Sequence, residues 1–213
     1  MGKKLSLAAV VFALFAAFLA GCGSPSYTAE RPSHAVGQAS SNPNIVGLKV
    51  HGEWRIEVRQ PDGRLVRSLE FHNDLTYIGK SVLANVLAKT YTPGYWIVEL
   101  FGSPDPCVSG GYPAACDITE PQGNGASGRV SKNLVVSTLS DGVRLKGSTI
   151  ADQNGTITTV WTILSHCAKT LAVADCDSTN LVGWAQVTAR TLPSTVNLLT
   201  GQQLLVTVDL TLS

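Results

Sequence analysis

The chain is poor in charge, poor in aromatic residues, and has a single methionine, its first residue. Charged side chains make up 15% of its 213 residues and aromatics 7%, with a formal net charge of +1. A nucleic-acid-binding face needs a basic excess, and none exists, so nucleic acid is not expected as a partner. No Gly-x-Ser-x-Gly segment occurs, so there is no nucleophile elbow. The four histidines, His34, His51, His72 and His166, are scattered along the chain. No cysteine pair has the C-x₂₋₄-C spacing that zinc sites favour. No tandem repeat of about 20–50 residues is present. These absences predict a non-enzymatic protein with no cofactor, no metal and no catalytic residue. An envelope hydrolase remains the enzyme alternative, because a Ser/His/Asp set is assembled in space and leaves no fixed mark on one sequence.

The chain also lacks a full-length membrane span. Its apolar run, Leu5 to Ala20, has sixteen uncharged residues, short of the roughly 20 that cross a bilayer. It follows the basic start Met1-Gly2-Lys3-Lys4 and ends in small residues, which is the layout of a cleaved signal. The ending Leu19-Ala20-Gly21-Cys22 resembles the lipobox of bacterial lipoproteins. The resemblance implies that the Cys22 sulfur receives diacylglycerol, that cleavage precedes Cys22, and that its new amine is acylated. Several chains are needed for firm attachment, since one acyl chain holds a membrane only marginally and each buried CH₂ adds about 0.8 kcal/mol. The lipid bilayer is thus an expected partner. Gly23 stands where an aspartate would retain a lipoprotein at the inner membrane, so the outer membrane is the expected address. Loss of residues 1–21 takes Lys3 and Lys4 with it, leaving 14 basic against 15 acidic side chains.

The remainder divides into a tether and one domain. Residues 22–43 carry Cys22 and then a small, polar, Pro-containing stretch without apolar period, read as a flexible linker. Residues 44–213 are rich in Gly, Ser, Thr and Val and read as one mainly β domain. Its four cysteines fall as two C-x₈-C pairs. Outside the cytoplasm disulfides are the default. Of three possible connectivities, Cys107–Cys116 and Cys167–Cys176 keep each bridge within one loop. A thiol metal site with His166 is the rival reading.

Residues 45–59 read as strand, in which Trp54, Ile56 and Val58 alternate with Arg55, Glu57 and Arg59, so one face is apolar and the other charged. Gly52 is read as a bulge separating this part from Val46, Leu48 and Val50, and Pro61-Asp62-Gly63 turns the chain into a returning strand, Leu65–Phe71. The charges of this hairpin mix both signs and read as a solvated face. Leu75, Ile78, Val82, Leu83, Val86 and Leu87 form one apolar helical stripe, capped by Asn73 or Asp74 and broken at Pro93-Gly94. That stripe is expected to pack on a sheet rather than on a membrane. Tyr95–Phe101 reads as a strand buried on both faces. Residues 102–128 form a long Gly/Pro/Cys-rich loop. Short strands follow: 130–139, 143–150, 157–164, 181–191, 196–199 and a cleanly alternating last one, Leu204–Leu212. Asp152-Gln153-Asn154-Gly155 is a hairpin cue, and residues 165–180 form a second cysteine loop. About nine short strands with one helix predict an antiparallel β-sandwich or jelly roll.

Two motifs invite a functional reading. Gly123-Asn124-Gly125-Ala126-Ser127-Gly128 matches G-x-G-x-x-G, but it follows a loop and precedes a strand, so the context of a dinucleotide site fails. Trp54, Trp96, Trp161 and Trp184 all fall on predicted strands. They serve either core packing or a sugar-stacking platform.

Asn73-Asp74-Leu75-Thr76-Tyr77-Ile78-Gly79, the helix from Ser81 to Lys89, the strand ending at Gly102, and the Gly201-Gln202 turn with its alternating strand together resemble a loose family of phage virion and tail-associated β proteins. The resemblance implies a β-sandwich and, as a partner, a phage or envelope protein. The expected function is a membrane-anchored, non-enzymatic binding or assembly module acting through the loops 102–128 and 165–180. A carbohydrate-binding module using exposed Trp, with a surface glycan as ligand, is the alternative.

Overall fold

The computed structural model describes residues 49–107, 115–125 and 129–212. The signal, the tether and Cys22 lie outside the described residues, as do residues 108–114 and 126–128 of the first loop. The described chain is mainly β with one helix, folded as a sandwich of two five-stranded sheets.

The first sheet has the order β2-β1-β10-β7-β6, with β1 Val50–Arg59, β2 Leu65–Asp74, β6 Val135–Thr138, β7 Gly142–Ile150 and β10 Gln203–Leu212. The second has the order β5-β4-β3-β8-β9, with β3 Tyr91–Phe101, β4 Ala115–Thr119, β5 Arg129–Ser131, β8 Gly155–Ala168 and β9 Leu181–Leu198. All pairings are antiparallel except β4 with β5, which is parallel. Alternation explains the layering. Trp54, Ile56 and Val58 of β1 and Leu204, Val206, Val208 and Leu210 of β10 point inward. They meet Val98 and Leu100 of β3, Ile118 of β4 and Val160 of β8 in one core.

The first turn forms as expected. Gly63 adopts φ 86°, a region open to glycine. Its N–H donates to Gln60 O at 2.8 Å, and Asp62 Oδ1 accepts the Arg64 N–H at 2.9 Å. Gly201, φ 84°, serves the same purpose between β9 and β10.

Several local expectations are corrected. Gly52 is no bulge: β1 stays in register with β10 and β2 through it, and the irregularity falls at Val58/Arg59. Gly52 is needed because a Cβ there would press on Asn73 Oδ1 at 2.6 Å. Pro93-Gly94 does not end the chain segment; it lies inside β3, where the register with β8 shifts. The Asp152–Gly155 turn makes no hairpin. β7 and β8 belong to different sheets, so this turn is a corner, pinned where Asn154 Oδ1 accepts the Thr200 N–H at 2.9 Å. Residues 130–139 split into β5 and β6, whereas the stretches 181–191 and 196–199 merge into β9. β4 interrupts the first long loop, and β8 absorbs residues 165–168, so the second loop begins at Lys169.

Helix α1, Tyr77–Leu87, carries the chain from the edge of the first sheet to the centre of the second. Its cap is Thr76, not Asn73 or Asp74, because β2 runs on through Asp74. Thr76 Oγ1 accepts the Gly79 N–H at 2.8 Å and donates to Gln186 O, and the Thr76 N–H bonds Val187 O. One side chain therefore caps the helix and ties it to β9. Gly79 makes the approach possible, since a Cβ there would collide with the Val187 backbone. The predicted apolar stripe divides. Val82 is buried with Leu164, Ala185 and Val187, and Leu75, Leu83 and Val86 pack around them. Ile78 and Leu87 stay 53% and 73% exposed.

Candidate functional site

Both disulfides form as expected, Cys107–Cys116 and Cys167–Cys176. Asp105 joins the first pair in a tight buried cluster of potential metal ligands. Both sulfurs are consumed in the bridge, however, and a metal ligand must be a thiolate. Asp105 instead turns the chain: its Oδ1 accepts the Cys107 N–H at 2.7 Å, and burial pushes its carboxyl above the usual range. The second bridge removes Cys167 and Cys176 in the same way from the thiol site with His166.

The Cys167–Cys176 loop is braced from β3, where Thr92 Oγ1 donates to Leu171 O at 2.8 Å. Residues 173–175 make a single 3-10 turn that leaves Val173 64% exposed. Asp177 closes the loop: its Oδ1 accepts from the Thr179 N–H at 2.9 Å and the Thr179 hydroxyl at 2.6 Å, bonds that hold its carboxyl below the usual range. The result is a braced ridge with an apolar tip.

The four tryptophans occupy four different environments and form no common platform. Trp54 is core, 2% exposed and stacked on Phe71 with centroids 5.7 Å apart, so it offers no face to a ligand. Trp161 leans on Phe101 on the outer face of the second sheet. Trp96 points into the helix-covered end of the sandwich and packs against both core clusters there. Trp184, on edge strand β9, is 41% exposed.

Trp184 borders a cleft of about 220 Å³ between α1 and the second sheet, with Tyr77, Ile78, Ser81, Asn85, Tyr91 and His166 among its lining residues. Tyr91 and His166 face each other at 4.4 Å. His166 is buried with no partner for Nδ1, and burial lowers its pKa, so it is neutral near pH 7. Tyr77, 88% exposed, stands at the mouth. Spacing alone gave no reason to group Tyr77, Tyr91 and His166, which come from a helix and two strands.

On the other flank of α1 lies a larger apolar groove of about 670 Å³, where Leu83, Val86 and Leu87 face Val50, Leu210 and Leu212. The outer face of the first sheet is charged, as expected, and internally paired. Arg144 holds Asp209 through two bonds of 2.7 and 2.6 Å, and Arg55 pairs with Glu70 at 2.8 Å.

A further feature was not foreseen. Glu99 of β3 sits directly opposite Asp117 of β4, and both are buried. Burial first, and then the Asp117 charge, push the Glu99 carboxyl up to about 7. Glu99 lies within an otherwise apolar run, where nothing local marks it.

Comparison with known protein families, curated proteins and solved structures finds no match.

Proposed function

We propose that the protein is a membrane-anchored, non-enzymatic binding module of the bacterial cell envelope, held by acylated Cys22, that recognises its partner at the end of the sandwich carrying α1 and the Cys167–Cys176 loop. The observation that carries this reading is the loop itself. It is bridged by a disulfide, braced from β3 and closed by Asp177, yet presents an exposed valine at its tip. A pre-ordered loop on a rigid scaffold loses little freedom on binding, which favours recognition. The expected partner is an envelope or phage protein, in line with the sequence resemblance.

A photo-crosslinking residue in place of Val173 tests this in intact cells. A discrete adduct, missing when the same residue replaces exposed Val66 on β2, is expected. Indistinguishable adducts from the two positions would count against the loop.

The cleft supports a second reading, sugar binding. Its aromatic side chains suit the apolar faces of a pyranose, and Ser81 and Asn85 add polar atoms. A panel of surface glycans titrated against tryptophan emission should give a saturable change that Tyr77→Ala removes. No change across the panel retires this reading.

A further inference from the structure

The apolar groove lies where the chain enters the fold. Its floor and walls combine α1 with the ends of β1 and β10, and Val50, the first residue of β1, lines it. Leu87 and Leu212, on its rim, are 73% and 45% exposed. The side chains that line the groove are mostly apolar, and they are left open together at one place rather than scattered singly over the surface.

Charge narrows the occupant. Lys80 and Lys89 are the two charges of α1 and the turn after it, and Asp74, 91% exposed, is the acid just ahead of the helix. Lys80 borders the groove directly; Asp141 is the acid on the opposite wall. Reach narrows it further. Residues 23–43, read from the sequence as a flexible linker, have a root-mean-square span of about 25 Å on that reading. A tether this short holds a surface at an effective concentration on the order of millimolar.

We infer that the groove flank of α1, opposite the flank that borders the Trp184 cleft, docks on the bilayer surface itself, with Leu87 and Leu212 entering the acyl region, lipid tails filling the groove, and Lys80 and Lys89 meeting anionic headgroups. The contact is a second membrane attachment beyond the lipid on Cys22. Two lysines at an anionic surface attract too weakly to recruit a free protein but strongly enough to orient one already tethered. The inference rests on the anchoring reading only for the presence of a tether, and the experiment supplies that tether artificially.

Trp96 lines the groove and reports on it. The chain lacking residues 1–21 keeps every described element and, with its other cysteines bridged, has one free thiol, Cys22. It is coupled through that thiol to a maleimide-headgroup lipid in vesicles of zwitterionic and anionic phospholipids with brominated acyl chains. The expected result is quenching of the emission that Trp96→Phe removes, falling at least threefold with Leu87→Glu and Lys80→Glu together. Unquenched emission, or quenching indifferent to those changes, overturns the inference. Quenching that appears only after Ile45, Val46 and Leu48 are changed to serine also overturns it, because the chain's own segment would then fill the groove. Native failure of Cys22 acylation would leave this result untouched.

Discussion

Glu99 sets the most direct consequence at the scale of one residue. Its folded carboxyl titrates at about 7, against 4.5 for a free glutamate. Between those values the folded protein holds a proton that the unfolded chain has lost. Its contribution to stability is therefore complete below about pH 4.5 and is lost as pH rises through about 7. The full effect is on the order of 3 kcal/mol. Chemical denaturation of the wild type and Glu99→Gln across pH 4–8 should show a smaller loss with rising pH in the variant. Parallel curves would contradict the assignment. His166 works in the opposite direction, because its folded pKa is lowered and its contribution is lost as pH falls. The comparison at fixed pH isolates Glu99 from it. Thr76 gives a second test. Thr76→Ala removes both the cap and the bond to Gln186 O, and should cost roughly 1–2 kcal/mol in denaturant unfolding. Neither role could be read from the sequence. A carboxylate inside an apolar run and a threonine two residues past the expected cap become special only through the strands that pack against them.

At the scale of elements, strands that alternate cleanly were legible, and those whose neighbours decide their course were not. β1, β10 and the Pro61-Asp62-Gly63 turn follow directly from residue pattern. Asp152–Gly155 has the residues of a tight hairpin, but the choice between a hairpin and a corner depends on which sheet receives β8, a non-local fact. The helix shows the same limit. Its period was readable, and so was its packing on a sheet, since Val82 is buried against Leu164, Ala185 and Val187 of the second sheet; what the period did not show is that Ile78 and Leu87 of the stripe stay outside. The contact of α1 with β9 is close enough to test by volume. Gly79→Ala should destabilise by more than about 2 kcal/mol, because backbone must move. The Cys167–Cys176 loop should depend on its bridge: replacing both cysteines by serine should cost roughly 2.5–3 kcal/mol and weaken crosslinking from position 173 together with it. Retained crosslinking in that variant would mean that the bridge does not order the loop for recognition.

At the scale of the whole molecule, the sandwich sorts its surfaces by chemistry. The outer face of the first sheet is a network of paired charges. The opposite sheet buries its carboxylates. The end that carries α1 concentrates exposed apolar and aromatic groups beside the point where the chain enters from Cys22. The β-sandwich class and both cysteine pairings were accessible from composition, alternation and spacing. The site was accessible only in part: Trp184 and the second loop were singled out, while Tyr77, Tyr91, His166 and the groove are products of tertiary packing. The proposed function requires a disulfide-braced sandwich held outside the cytosol by lipid on Cys22. Intact-mass spectrometry of the protein extracted from membranes, after alkylation without reductant, tests this most directly. The account predicts a chain that begins at Cys22, carries the mass of a diacylglyceryl group and a further acyl chain, and takes up no alkyl label. A chain that retains residues 1–21, with an unmodified Cys22 and alkyl label on the other cysteines, would contradict it.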